Sequence, residues 1–373
     1  MPELKKITLF VSSLAGGGAE GVCVNVANGL AECGWQVDLV VLHTNNAAYL
    51  SRVSQNVKLV VLGVNHARYA PRPLLRYIRK HKPETMLVFN YELAVLTVML
   101  RSLFRFNTKI IARNINTFSK NTIQPQGSWQ RYIVKPLINH FYGKADHIIN
   151  QCQAMRDDLV SVFPHLADKT SVIYNPVAKH VEDYAKTHDL TQVVKRDYLL
   201  CVGRLEKQKA FHYAIEGFAG IANVFPSLRL KIVGQGSLEQ SLKQCAIDLA
   251  VADRVDFEGF QADMIPYYLH AKATLLTSLY EGFPNVLIES ITLGTPVIAF
   301  DCPSGPREII QQGVNGYLVD YQLLDALKAA CQTLLIKQID SKLVQATASE
   351  YSIKTIIGKY EFYFNLLKVS LYE

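Results

Sequence analysis

The residues most able to do chemistry fall in one stretch. Ser278-Leu279-Tyr280-Glu281-Gly282-Phe283-Pro284-Asn285-Val286-Leu287-Ile288-Glu289 sets two carboxylates either side of a Gly-Phe-Pro turn. Proline suits the first turn of a helix, so Glu281 is expected in the loop before a helix and Glu289 about one turn inside it. Ionised carboxylates accept hydrogen bonds from vicinal hydroxyls. One can therefore hold a sugar ring and the other a ribose, with N–H groups of the loop Gly282–Val286 as further donors. Taken singly, either glutamate reads as an ordinary surface or helix-start residue; the spacing around the turn sets the pair apart.

Two further loops carry the right types. Gly203-Arg204-Leu205-Glu206-Lys207-Gln208-Lys209 follows an apolar run, and an arginine fork with a lysine point charge can grip a diphosphate. A solvated basic loop is the plainer reading of either cation alone. Val233-Gly234-Gln235-Gly236-Ser237 again ends an apolar run in glycines, with Ser237 read as a helix cap; turn-plus-cap and ligand contact stay equally open there. Near the start, Ser13-Leu14-Ala15-Gly16-Gly17-Gly18-Ala19-Glu20-Gly21 fits a dinucleotide fingerprint literally. That fingerprint needs an acid at the end of the next strand. Asp38 falls at the beginning of it, and its end reads Leu42-His43-Thr44-Asn45-Asn46. What survives is a glycine loop whose N–H groups can approach an anion at a helix start, against a simple tight turn.

These loops need a scaffold that gathers them. Short β-branched runs alternate with longer amphipathic stretches, the pattern of βαβ units around parallel sheets. Strands are predicted at Ile7–Ser12, Val37–Leu42, Val57–Leu62, Met86–Asn90, Lys109–Ala112 and His147–Asn150. A second set runs Tyr198–Val202, Leu230–Val233, Val255–Glu258, Thr274–Thr277, Val297–Phe300 and Gly316–Val319. The fold class is α/β, with two Rossmann-like doubly wound parallel sheets facing a cleft. In such sheets ligands bind where the carboxyl ends of the strands meet. The domains are predicted as 1–178, 179–350 and a C-terminal helix, 351–373, packing across the junction. Asn175-Pro176 and the polar stretch Lys179–Lys195, which lacks an apolar period, read as the linker.

Of the 373 residues 49% are hydrophobic and 19% charged, a folded-protein composition. No apolar run approaches the roughly 20 residues of a membrane span, and no signal-peptide pattern is read at the start, so a cytoplasmic location is expected. Seven scattered cysteines without a Cys-x-x-Cys pair indicate neither a disulfide framework nor a zinc site. The net charge of +7 hides an asymmetry: residues 39–145 hold 16 Lys/Arg against two acids, Glu84 and Glu92, so that segment carries +14 and the remainder −7. A negatively charged partner is expected at the first lobe. Arg68, Arg72, Arg76, Arg79, Lys80 and Lys82 lie on or before a helix expected at Pro73–His81. The apolar stretch Leu93–Phe106, ending with Arg101 and Arg105, reads first as a core helix.

Taken as a set, the motifs resemble glycosyltransferase family four of the GT-B fold. The resemblance rests on Gly203-Arg204-Leu205 with Lys209, the Glu281-x7-Glu289 pair in Tyr-Glu-Gly-Phe-Pro-Asn, Gly294-Thr295-Pro296-Val297-Ile298 and Asp301-Cys302-Pro303-Ser304-Gly305-Pro306-Arg307-Glu308. Gly17-Gly18-Ala19-Glu20 and Tyr174-Asn175-Pro176-Val177 extend it to nearly the whole chain. It implies a retaining enzyme moving a hexose or N-acetylhexosamine from a nucleoside diphosphate sugar, with UDP favoured, to a glycan or lipid-linked acceptor of a surface glycan. By the same resemblance Arg204 and Lys209 meet the diphosphate, Glu281 the donor sugar and Glu289 the ribose. Gly203, Gly234, Gly282, Phe283, Pro284, Asn285 and Val286 line the donor, and Gly16, Gly17 and Gly18 close over it. Some relatives carry a histidine after the fifth strand where this chain reads Ala112-Arg113-Asn114; Arg113 and Asn114 are therefore candidates to orient donor or acceptor. No Asp-x-Asp pair or carboxylate–histidine cluster suggests a metal, and no cofactor is expected. An anionic membrane surface at the basic lobe is expected, placing the enzyme at the inner face of the cytoplasmic membrane, and no nucleic-acid module is recognised. The competing readings are an NAD(P)-dependent oxidoreductase, from the first glycine loop, and a non-catalytic protein binding nucleotide sugar or nucleic acid.

Overall fold

A computed structural model describes residues 5–115, 117, 132 and 135–369. Residues 370–373, the end of the predicted C-terminal helix, lie outside the described residues. The chain divides into two compact units, Met1–Ala178 with Ile353–Glu373, and Lys179–Ser352.

The first unit holds a seven-stranded parallel sheet of β1 (Lys6–Val11), β2 (Gln36–Val41), β3 (Val57–Val61), β4 (Thr85–Phe89), β5 (Lys109–Arg113), β6 (His147–Asn150) and β7 (Thr170–Val172), in the order β3-β2-β1-β4-β5-β6-β7. Side chains alternate across a strand, and β1 uses both faces. Ile7, Leu9 and Val11 enter one core with α1 (Gly18–Glu32) and the C-terminal helix Ile353–Val369; Phe10 enters the other with α2 (Pro71–His81) and α3 (Tyr91–Phe104). A strand buried on both faces reads as a near-continuous apolar run, which is why these strands are visible in the sequence. The C-terminal helix is tied down by the Trp35 indole N–H, which donates to Glu361 at 2.8 Å, and by the Trp35–Phe364 ring contact at 5.5 Å.

The second unit holds a six-stranded parallel sheet of β8 (Tyr198–Val202), β9 (Arg229–Val233), β10 (Val255–Gly259), β11 (Ala273–Leu276), β12 (Val297–Phe300) and β13 (Gly316–Val319), in the order β10-β9-β8-β11-β12-β13. In both sheets the strand order reverses beside the first strand of the unit. Between β1 and β4, and between β8 and β11, successive loops leave in opposite directions and open a crevice at the carboxyl edge.

The stretch read as a linker is corrected. Lys179–Thr187 is an α-helix that opens the second unit, supported by the pairs Lys179–Asp183 at 3.3 Å and Lys186–Glu182 at 2.9 Å. Its charge run is a set of i,i+4 partners. Strand β7 is not among the predicted strands, because Thr-Ser-Val is short, largely polar and at the sheet edge.

Candidate active site

The crevice of the second unit is assembled from the loops after β8, β9, β11 and β12. Gly203 and Gly234 end neighbouring strands with φ of +151° and +143°. A Cβ on Gly234 would lie 1.8 Å from the Gly203 carbonyl oxygen, and one on Gly203 would press the Lys209 stem at 3.0 Å. Glycine is therefore required for the two loops to approach and for the lysine to cross over the first of them.

Lys209 and Glu281 meet across the reversal point of the sheet, one from the loop after β8 and the other from the loop after β11. The ammonium donates to Glu281 Oε1 at 2.6 Å, with the two side chains 15% and 8% exposed. Ser278 Oγ donates to the same oxygen at 2.6 Å. The backbone locks this geometry: Leu279 N–H donates to the Gln208 carbonyl at 2.8 Å, and Thr277 Oγ1 donates to the carbonyls of Lys209 and Ala210, each at 3.2 Å. The loop after β12 closes against the same turn, since a Cβ on Gly305 would meet Pro284 Cδ at 2.5 Å.

The remaining predicted donor residues take different places. Arg204 is exposed on the loop after β8. Helix Asn285–Thr292 follows Pro284, which caps it, so Asn285 and Val286 open the helix and Glu289 lies one turn in. Tyr268, fully buried, donates its hydroxyl to Glu289 Oε2 at 3.0 Å, and burial, with Glu289 beside it, pushes the phenol well above its ordinary value. Gly282 is half-buried, whereas Phe283 and Pro284 are buried, and the Phe283 ring packs 5.7 Å from that of Tyr351. The Phe283 side chain thus anchors the turn. Ser237 does not cap a helix as expected: its N–H and Oγ both donate to the Glu206 carboxylate at 2.9 Å, and the next helix begins at Glu239. Those two bonds, the backbone one first, hold the Glu206 carboxyl below the usual range.

The first unit holds the other predicted residues. Gly16, Gly17 and Gly18 follow β1, with Gly17 capping α1 and Gly18 its first residue. Asp38 sits near the start of β2, where Tyr77 donates to it at 2.7 Å, so the end-of-strand acid of a dinucleotide site is missing. The expectation for Arg113 and Asn114 is corrected. Arg113 is 0% exposed and donates to Asn175 Oδ1 at 2.7 Å and to the Ile173 carbonyl at 3.3 Å, between the rings of Phe89 and Tyr360. Its desolvation pushes the guanidinium below its ordinary value. Asn114 donates to Asn150 Oδ1 at 2.7 Å and accepts from the Tyr142 hydroxyl. The hydrogen bonds shown for both side chains run to the scaffold, and the buried Arg113 Nε has no partner among the described residues.

Among the described residues no three His, Cys, Asp or Glu side chains cluster as a cation site, and no helix is long and apolar enough to cross a membrane. Ser278, Tyr268 and Glu206 are the polar partners that sequence reasoning missed. Ser278 had a local signal, lying three residues before Glu281; the other two are long-range pairings.

Sequence profiles divide the chain as the strands do. The profile of Glycosyltransferase Family 4 matches residues 16–180, and that of Glycosyl transferases group 1 matches residues 186–351. The chain belongs to glycosyltransferase family four. The amylovoran biosynthesis glycosyltransferase AmsD of Erwinia amylovora is 25% identical over 364 residues, 95% of this chain and 98% of that one. The N-acetylgalactosamine-N,N'-diacetylbacillosaminyl-diphospho-undecaprenol 4-alpha-N-acetylgalactosaminyltransferase of Campylobacter jejuni is 25% identical over 352 residues, 89% of this chain and 90% of that one. In fold, the glycosyltransferase is similar to Anabaena HepE, solved in complex with UDP, with a TM-score of 0.76, 21% identity, and 97% and 100% of the two chains covered. The fold is GT-B, and the oxidoreductase reading of the first glycine loop is set aside.

Proposed function

We propose that this glycosyltransferase moves a hexose or N-acetylhexosamine from a UDP-sugar, with retention of configuration and without a metal ion, to a glycan or lipid-linked acceptor in surface-glycan synthesis. The observation that carries the reading is the Lys209–Glu281 pair at the reversal point of a glycine-lined sheet. Cleaving a sugar–phosphate bond leaves charge on a diphosphate, and preorganised cations aimed at it stabilise it as the bond breaks. Lys209 and the exposed Arg204 supply those cations. An ammonium has three donors, so Lys209 can hold Glu281 and still reach an oxyanion. Glu281 accepts from hydroxyls of the donor sugar, and Glu289, oriented by Tyr268, from those of the ribose. The names of the Erwinia and Campylobacter relatives support a surface glycan and a lipid-linked acceptor, and UDP in the HepE complex supports the base. Work at the inner membrane face, with the basic first lobe toward anionic lipid, belongs to the same reading.

The test is a thermal-shift panel of UDP, GDP, ADP and NAD, followed by transfer screening with UDP-sugars. UDP is expected to raise the melting temperature, and Lys209→Met to abolish the shift. Tyr268→Phe, which removes only the hydroxyl that orients Glu289, is expected to weaken UDP by about tenfold. Stabilisation by NAD with none by any nucleoside diphosphate would sink the proposal.

A further inference from the structure

We infer that the outer face of α2, together with the end of α3, is a docking surface for an anionic lipid bilayer. This rests on the reading of a lipid-linked acceptor above and names the surface that reading leaves open. Helix α2 buries Leu74, Tyr77 and Ile78. Arg72, Arg76, Arg79 and Lys80 recur at i, i+4, i+7 and i+8, so they form one stripe on the opposite side, and all four are exposed. At 1.5 Å per residue the stripe is about 12 Å long. Among the described residues none of the four has an acidic partner within ion-pair distance, and the helix itself contains no acid.

The placement of Arg72 is informative. Arg79 and Lys80, in the last turn, suit the negative end of the helix dipole and need no other explanation. Arg72 lies in the first turn, where the dipole disfavours a cation. Stability of the helix alone therefore does not account for it.

Apolar groups flank the stripe at both ends. Helix α3 ends beside it, with the Arg79 guanidinium 5.3 Å from the centre of the Phe104 ring. Leu103 and Phe104 are 69% and 47% exposed, and Arg105 follows them. Before α2, the Arg68 guanidinium stacks 4.8 Å over Tyr69, itself 57% exposed. A cationic stripe between an apolar wedge and an aromatic side chain matches a membrane interface, where phosphate headgroups meet acyl chains. Nucleic acid would satisfy the cations but has no use for Leu103. The attraction is electrostatic for the stripe and so screened by salt, and hydrophobic for the wedge and so retained.

The test is cosedimentation of the full chain with phosphatidylcholine vesicles, with and without phosphatidylglycerol, at low and high salt. Binding is expected to be weak with phosphatidylcholine alone and much stronger with phosphatidylglycerol, high salt lowering the second toward the first. The double variant Arg72→Gln/Arg76→Gln should lower the partition coefficient about thirtyfold, at the attraction expected per cation near an anionic surface. Leu103→Ser/Phe104→Ser should remove the salt-resistant part. UDP binding by both double variants should match the parent. Unchanged partitioning of both variants, equal uptake by neutral vesicles, or tighter binding to an oligonucleotide than to anionic vesicles would overturn the inference. Normal vesicle binding by a chain that takes up no nucleoside diphosphate would refute the donor reading and leave this surface standing.

Discussion

Removing both sides of the Lys209–Glu281 pair should destabilise the second unit no more than removing either one alone. The charges are 2.6 Å apart and the side chains 15% and 8% exposed, so solvent screens them little. At an effective dielectric of about 20, unit charges at that distance attract by roughly 6 kcal/mol. Desolvation of both groups offsets much of this, which makes the net worth of the pair small. Deleting one partner is different, because it leaves the other charge buried without its counter-charge, at about 3–5 kcal/mol. Ser278 still donates to Glu281 Oε1 at 2.6 Å when Lys209 is gone, which puts Lys209→Met at the lower end, about 3 kcal/mol. Glu281→Gln keeps the shape and strands the ammonium at a similar cost. The double variant should then cost about 3 kcal/mol, not 6, a coupling energy of about 3 kcal/mol. Urea unfolding followed by circular dichroism gives the free energies, and amide exchange in β8 and β11 assigns the loss to this unit. Single variants within about 0.5 kcal/mol of the parent, or costs that simply add, would refute the argument.

Two other expectations follow from the geometry. Gly234→Ala drives a methyl to 1.8 Å from the backbone oxygen of Gly203 and should cost on the order of 4 kcal/mol or more. Gly313→Ala, at φ +74° in open space, should cost only about 1–2 kcal/mol, and equal melting temperatures for the two would sink the close-packing explanation. His147 is 9% exposed and its ring nitrogen lies 2.8 Å from Ser171 Oγ; burial lowers its pKa from 6.5 to about 4. Between those values the unfolded chain binds a proton that the folded one refuses, so stability should fall as pH drops through that window, by about 3 kcal/mol in all. Urea midpoints across the window for the parent and His147→Gln measure this, and identical slopes would exclude His147 as the source.

What the sequence conveyed was local. Tyr198–Val202 and Val297–Phe300 are legible as strands because both faces are buried and every position must be apolar or small. The Gly-Phe-Pro turn places Glu281 before a helix through proline's fixed φ alone. Thr170–Val172 and Lys179–Thr187 were missed because an edge strand can be polar and a charge-paired helix has no apolar period to detect. The contacts that make the crevice are of another kind. Lys209 and Glu281 are 72 positions apart, and nothing near either one specifies the other; they meet because β11 pairs with β8 across the reversal of strand order. Arg113 illustrates the converse. Its position at the carboxyl end of β5 suggested a ligand, but Ile173 and Asn175, Phe89 and Tyr360 converge on it from three other segments and bury it completely. A strand-end position shows where a side chain starts, and the surrounding segments decide whether it reaches a substrate or the scaffold.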